Sequence, residues 1–136
     1  MSEQPSPRVL IVDDDEGIRD ALRDLLAEEG IDVVGQAVDG DAGFEAAQTL
    51  SPDIVLMDLR MPGVDGVEAT KLIKDFDPDM QVIILTAYDD PALNQSADAA
   101  GAFAYLIKGS SASLVRDVIM EAFKLRRGLQ ERSAGE

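Results

Sequence analysis

The residues with the clearest chemical potential in this sequence are acidic ones that directly follow short aliphatic runs. Asp13 and Asp14 follow the aliphatic residues 9–12, and Asp58 follows Ile54–Met57. A run of four aliphatic residues is typical of a strand buried on both faces, so the polar residue after it lies where a sheet meets solvent. If these strands are parallel neighbours, the three carboxylates converge at one edge of the sheet.

Two further apolar runs end in a hydroxyl and an ammonium group. Thr86 follows residues 82–85, and Lys108 follows residues 103–107. Three carboxylates within a few ångströms repel one another and raise at least one pKa unless a cation neutralises them. Such oxygen ligands suit Mg²⁺, which keeps several waters and shares its remaining coordination with phosphate oxygens. A carboxylate beside that metal can attack a phosphoryl group and hold it as an acyl phosphate, while a lysine and a hydroxyl bind phosphoryl oxygens.

The composition removes most competing chemistries. The 136 residues include no Cys and no His, which excludes disulfides, thiolate nucleophiles, Ser-His-Asp triads and His-ligated metals. The formal net charge is -15, with 27 Asp and Glu against 12 Lys and Arg, so we expect no direct binding to nucleic acid. With no leader-like start and no apolar run long enough to span a membrane, we expect a soluble cytosolic protein without membrane contact.

Alternating strand and helix patterns predict a single domain with a parallel sheet. The fold is predicted to occupy residues 8–127, between a flexible lead-in at 1–7 and a flexible tail at 128–136. The predicted second strand spans residues 31–38. The first predicted helix follows Asp14 and has Gly30 at its end. The others run from about 40 to 50, from Asp65 to near Asp75, from Pro91 with Asp90 as its cap, and after the candidate caps Ser110 and Ser111.

Strand order decides whether the acidic residues meet. In an order of 2-1-3-4-5, strand order reverses between the first and third strands, and ligands bind outside the carboxyl ends at that point. Asp13, Asp14 and Asp58 then lie there together. The basic cluster Lys124, Arg126 and Arg127 is interpreted as the polar end of the last helix, with docking of a partner as the alternative.

Five separated motifs resemble the receiver domain of bacterial two-component response regulators. They are Asp13-Asp14, the stretch 57–66 with sequence MDLRMPGVDG, Thr86-Ala87, Tyr105 and Lys108. The resemblance spans nearly the whole predicted fold, and the motifs agree in order and spacing. It implies a flavodoxin-like (βα)5 doubly wound parallel sheet with strand order 2-1-3-4-5.

The resemblance also implies a phosphorylation-dependent signalling switch. Asp58 would accept a phosphoryl group from the phosphohistidine of a sensor histidine kinase or phosphotransfer protein, and Lys108 would bind the phosphoryl group. Mg²⁺ would be bound directly by Asp14 and Asp58 and mainly through water by Asp13, with the backbone carbonyl of Arg60 as a further ligand. Such a protein is no enzyme beyond self-phosphorylation and slow self-dephosphorylation.

The remaining roles concern the switch and the lifetime of the phosphoryl group. In the family, a hydroxyl such as that of Thr86 moves toward the phosphoryl group, and an aromatic ring such as that of Tyr105 turns inward. Small Ala87 leaves room for the phosphoryl group, and bulky Arg60 and Tyr88 are expected to slow its hydrolysis. The output is a shifted surface on helix four, strand five and helix five, which is also the first candidate for a phosphorylation-dependent homodimer, ahead of helices one and five.

The sequence departs from the family pattern after Lys108, where Gly109 stands instead of the proline that often follows in a cis peptide. Because a cis bond before a residue other than proline is costly, we expect a trans peptide and a more mobile loop. Asp15 is either a third acidic site residue or an ordinary helix cap.

A phosphatase of the haloacid dehalogenase type is the alternative function. Asp13-Asp14-Asp15 has the required Asp-x-Asp spacing, with Asp13 as nucleophile, but this reading leaves Asp58 unexplained. Two sequence hypotheses also stay open for the chain as a whole: a stand-alone receiver, or the receiver part of a longer regulator with a DNA-binding output domain.

Overall fold

The computed structural model describes residues 5–134 as five strands alternating with five helices. All strand pairs are parallel, and the strand order is β2-β1-β3-β4-β5, which confirms the predicted fold class. The strands are β1 (Arg8–Val12), β2 (Asp32–Ala37), β3 (Ile54–Met57), β4 (Gln81–Thr86) and β5 (Ala104–Ile107). The helices are α1 (Glu16–Glu28), α2 (Gly40–Leu50), α3 (Gly66–Phe76), α4 (Pro91–Ala99) and α5 (Ala112–Ala134).

The sheet is buried on both faces because successive strand residues point to opposite sides. In β1, Val9 and Ile11 belong to the core cluster that includes residues of α1 and α5. Leu10 and Val12 belong to the second cluster, which includes residues of α2, α3 and α4. The near-continuous aliphatic strands therefore face two cores and leave only their ends accessible.

Aspartates cap four helices, and this chemistry fixes where each helix begins. Asp15, Asp39, Asp65 and Asp90 are the N-caps of α1 to α4, and each side chain accepts a hydrogen bond from a backbone N–H of the first turn. The alternative role of Asp15 as a cap is thus confirmed. The Ser111 hydroxyl accepts a bond from the Leu114 N–H at 3.2 Å at the start of α5.

The last helix differs from its prediction. α5 continues to Ala134, so residues 128–134 are helical where a flexible tail was expected. The basic cluster therefore lies inside the helix and does not mark its end. Residues 1–4 of the expected lead-in, and residues 135 and 136 of the expected tail, lie outside the described part; residues 5–7 have no regular structure, and Pro7 is buried.

Arg126 belongs to that cluster, yet it is only 6% exposed. Its guanidinium pairs with Asp53 at 3.1 Å and with Asp77 at 3.2 Å. Both acids lie near the amino ends of strands, so Arg126 connects α5 to the edge of the sheet opposite the acidic motif. Among residues 5–134, no helix has both the length and the apolar character needed to cross a membrane.

Candidate metal centre

Sheet register brings the first two acidic motifs together. Val12 of β1 pairs with Met57 of β3, so Asp13 and Asp58 follow directly paired residues, and the Asp58 N–H donates to the Val12 carbonyl at 2.9 Å. Asp14 completes the group: Asp13, Asp14 and Asp58 each offer a carboxylate oxygen, and these atoms lie within 4.8 Å of one another. Asp13 and Asp58 are buried, whereas Asp14 is exposed, so the cluster opens to solvent on one side.

Lys108 lies between the two buried acids. The backbone N–H of Lys108 donates to the Thr86 carbonyl at 2.7 Å, which continues the pairing of β4 with β5 beyond the last strand residue of β5. The Nζ atom is 2.7 Å from Asp13 Oδ2 and 3.3 Å from Asp58 Oδ2. One ammonium thus balances part of the charge of three carboxylates, and the donor set leaves a net negative charge that a cation can neutralise.

The electrostatics of the cluster follow from this burial. Burial raises the pKa of Asp58 above its ordinary value of 3.8; Lys108 opposes the rise, and the charge of Asp13 adds to it. Burial alone would lower the pKa of Lys108, but its hydrogen bond to Asp13 and the charges of both acids outweigh burial and raise it above 10.5. Lys108 therefore remains charged at neutral pH.

The predicted switch residues contact one common residue, Tyr88. Thr86 is fully buried, and its Oγ1 atom accepts a bond from the Tyr88 N–H at 3.4 Å. The Tyr105 hydroxyl donates to the Tyr88 carbonyl, and burial raises the pKa of this phenol, so it stays protonated. The two side chains are consequently connected through the backbone of one residue, Tyr88, in the loop after β4.

The two residues expected to control phosphoryl lifetime contact each other. The Arg60 guanidinium carbon lies 4.4 Å from the centroid of the Tyr88 ring, in cation–π geometry. Both side chains are exposed and come from the loops after β3 and β4, next to Asp58 and Thr86. Ala87, between Thr86 and Tyr88, is exposed as well.

The loop after Lys108 has the predicted trans peptide, and no cis peptide occurs in the described range. Gly109 adopts a φ of 96°, a conformation that favours glycine. Ser110 steadies this loop, because its hydroxyl donates to the Ile107 carbonyl at 2.6 Å.

Two residues near the cluster had no role predicted from the sequence. Arg19 is 8% exposed and donates to the Asp13 carbonyl. Its helical spacing could have indicated this burial, because it precedes Leu22 by three positions and Leu26 by seven and so shares the inner face of α1. Gly66 is the other: a Cβ there would lie 2.2 Å from the Asp58 carbonyl oxygen, so only glycine lets α3 begin against this peptide. A glycine in the sequence does not by itself indicate such a close approach of two backbone segments.

The sequence of this chain is similar to those of known regulators. The transcriptional regulatory protein LiaR of Bacillus subtilis is 42% identical over 130 residues, which are 95% of this chain and 62% of LiaR. The response regulator GacA of Pseudomonas aeruginosa is 36% identical over 121 residues, or 88% of this chain and 56% of GacA. This chain thus spans less than two thirds of either relative.

A solved structure and a family model agree with these relatives. The complex of CheX with CheY, BeF3 and Mg²⁺ from Borrelia burgdorferi matches with a TM-score of 0.80 at 28% identity, over 85% of this chain and 88% of that chain. None of these similarities supports the phosphatase alternative. The model of the response regulator receiver domain matches residues 9–120. This chain therefore belongs to the response regulator receiver domain family.

Proposed function

We propose that this chain is a switch in which Asp58 accepts a phosphoryl group from the phosphohistidine of a sensor histidine kinase or phosphotransfer protein. The observation that carries the proposal is the convergence of Asp13, Asp14, Asp58 and Lys108 at one sheet edge. An Asp58 oxygen forms the new P–O bond as the P–N bond of the donor breaks, and the released imidazole takes up a proton from water. The attacking group is a carboxylate, so no general base is needed to activate it.

Mg²⁺ fits the donor set. Carboxylate oxygens are hard ligands, and the exposed side of the cluster at Asp14 leaves room for waters and phosphoryl oxygens. We assign Asp14 and Asp58 as direct ligands, Asp13 as a ligand acting through water, and the Arg60 carbonyl as a further ligand. When bound, the metal neutralises charge on the phosphoryl oxygens.

Lys108 serves the same phosphoryl group. In the unphosphorylated chain its ammonium is engaged by Asp13 and Asp58. Phosphorylation of Asp58 removes the carboxylate charge at that oxygen and supplies phosphoryl oxygens close by, so the ammonium can exchange one acceptor for another. The raised pKa of Lys108 keeps it protonated during this exchange.

The switch step uses the shared contact at Tyr88. The Thr86 hydroxyl, now bonded to the Tyr88 N–H, turns to donate to a phosphoryl oxygen beside Ala87. That movement releases the loop after β4, and the Tyr105 ring, now held outward by the Tyr88 carbonyl, turns inward. The surface of α4, β5 and α5 changes as a result and is presented to an output partner or output domain.

We further propose that Arg60 and Tyr88 form a cover over the phosphoryl group. Their cation–π contact joins the loop after β3, which contains Asp58, to the loop after β4, and it restricts the approach of an attacking water. Self-dephosphorylation is slow for this reason. A half-life of seconds for the phosphorylated chain would contradict the proposed cover.

The decisive experiment is intact-protein mass spectrometry after incubation with a small acyl phosphate such as acetyl phosphate, with and without Mg²⁺. We expect one added phosphoryl group that requires Mg²⁺, is released by hydroxylamine as an acyl phosphate must be, and is lost in Asp58→Asn. Asp65→Asn is the matched control, because it changes a neighbouring carboxylate that only caps α3. An adduct that persists in Asp58→Asn but vanishes in Asp13→Asn would contradict the proposal.

A further inference from the structure

Arg19 is a charged group buried directly behind the acidic cluster. One of its Nη atoms donates to the Asp13 carbonyl at 2.6 Å, and its Nε donates to Gln36 Oε1 of β2 at 3.1 Å. None of the ion pairs formed within residues 5–134 includes Arg19. The free-energy cost of burying this charge is therefore offset by the two neutral acceptors and by the net negative charge of the nearby carboxylates.

The accepting carbonyl has a particular position in the chain. It belongs to the peptide that joins Asp13 to Asp14, and because a peptide is planar, fixing its oxygen also fixes the N–H of Asp14. The Asp13 N–H donates to the Ala37 carbonyl at 3.1 Å, and Asp13 Oδ1 accepts from the Asp15 N–H at 2.9 Å. Arg19 holds the Asp13 carbonyl, whereas β2 holds the Asp13 N–H and the backbone before α1 holds the Asp13 carboxylate.

We propose that Arg19 is a positioning residue for the metal site: by holding the peptide between Asp13 and Asp14, it sets how the two carboxylates are presented to Mg²⁺. The inference rests on the proposed function, since it takes Mg²⁺ as the ligand. Arg19 touches neither the metal nor the phosphoryl group, and it acts through the peptide that it holds. Residues that orient metal ligands typically change metal affinity by about 10- to 100-fold when they are replaced.

The test measures the dissociation constant of Mg²⁺ alone by isothermal titration calorimetry on the full chain. We expect Arg19→Met to weaken binding by at least about tenfold. Arg126→Met is the matched control, because it also removes a buried guanidinium, but one bonded to Asp53 and Asp77 on the opposite side of the sheet. Both variants lose stability in urea unfolding, and only Arg19→Met should change the Mg²⁺ constant.

Two measurements separate positioning from a general loss of structure. Arg19→Lys keeps the charge and one donor, so it should recover part of the affinity lost in Arg19→Met. If Arg19→Met does not fold, Gln36→Leu removes the second acceptor of Arg19 and should weaken Mg²⁺ binding in a folded chain. In acyl phosphate labelling, the Mg²⁺ concentration for half-maximal rate should rise with the dissociation constant, while the rate at saturating Mg²⁺ stays unchanged.

The outcomes distinguish the two proposals. Equal Mg²⁺ constants for wild type, Arg19→Met and Gln36→Leu would overturn the role of Arg19 and leave the metal site standing. A wild-type chain that binds no Mg²⁺ at millimolar concentrations would overturn the metal site and the role of Arg19 with it.

Discussion

Asp58 is buried beside a second acid, and its ionisation is therefore unfavourable in the folded chain. Folding raises the pKa of this carboxyl, so the folded chain binds its proton more tightly than the unfolded chain does. The resulting contribution to the free energy of unfolding is fully present below pH 3.8 and is lost as pH rises through the folded pKa. We expect Asp58→Asn, measured without Mg²⁺, to be more stable than wild type at pH 7. The gain should shrink as pH falls and vanish below about 3.8.

Urea unfolding of both chains between pH 3 and pH 8 checks this expectation. Asp65→Asn serves as the control, because Asp65 is an exposed helix cap and asparagine caps a helix as well as aspartate. A constant difference between Asp58→Asn and wild type across this range would contradict the assigned cause. The comparison uses differences between variants, so the contributions of acids distant from Asp58 cancel.

The contact between Arg60 and Tyr88 leads to a second prediction for single residues. Arg60→Met keeps a long side chain but removes the charge that holds it over the Tyr88 ring. We expect the phosphorylated variant to lose its phosphoryl group about tenfold faster, equivalent to about 1.4 kcal/mol in the barrier. The decay of the phosphorylated mass peak after removal of the donor measures the rate. Arg23→Met, an exposed change on α1, should decay like wild type.

The polar site was predictable where its residues follow strands. Asp58, Thr86 and Lys108 each terminate an apolar run, and that pattern alone places them at one sheet edge. Arg19 was not predicted, because its acceptors are a main-chain carbonyl and a side chain on β2, and long-range hydrogen bonds leave no periodic trace in the sequence. The contact between Arg60 and Tyr88 was missed for the same reason, although both residues were singled out for their positions.

At the scale of elements, the length of α5 gives a direct expectation. Gly128 lies within this helix without a positive φ, and a Cβ there would meet nothing within 4 Å. Gly128→Ala should stabilise the chain by about 0.5–1 kcal/mol, because alanine loses less conformational entropy in a helix. Urea unfolding, with helix content followed by circular dichroism, measures the change.

Gly30→Ala is the matched control for Gly128→Ala. It also has open space around a new Cβ, but its φ is 78°, which strains any residue with a side chain. We expect it to destabilise the chain by about 1 kcal/mol. If Gly128→Ala leaves stability and helix content unchanged, the segment beyond residue 127 is not helical in solution.

Element positions were predicted well where caps and aliphatic runs coincide. Both bounds of α2, and the Asp90 cap with Pro91 at the first turn of α4, match the sequence predictions. The end of α5 was placed too early because basic residues at 124–127 were interpreted as the last turn. Arg126 instead faces inward to Asp53 and Asp77, partners that are distant in sequence and therefore invisible to a local pattern.

At the scale of the whole molecule, charge controls association. With a net charge of -15, two copies repel each other at low ionic strength. We expect the phosphorylated chain to dimerise through α4, β5 and α5, and more strongly when salt rises from about 0.05 M to about 0.5 M. Sedimentation velocity well above micromolar concentration measures this.

A control variant identifies the face that is used. Leu25 on α1 is 44% exposed, so Leu25→Asp would weaken a dimer formed through α1 and α5 but leave one through α4, β5 and α5 intact. An unchanged sedimentation coefficient after phosphorylation would contradict both interfaces.

The hydrogen bond between Tyr105 and Tyr88 has an optical consequence. The chain has two tyrosines and no tryptophan, and this bond joins the two tyrosines. All ultraviolet fluorescence above the phenylalanine band therefore originates from these two residues, beside Thr86 and Arg60, with no background from the rest of the molecule. The unlabelled protein is its own reporter: a rotation of one phenol ring changes the emission of the whole sample, and the kinetics of the switch can be followed without a dye.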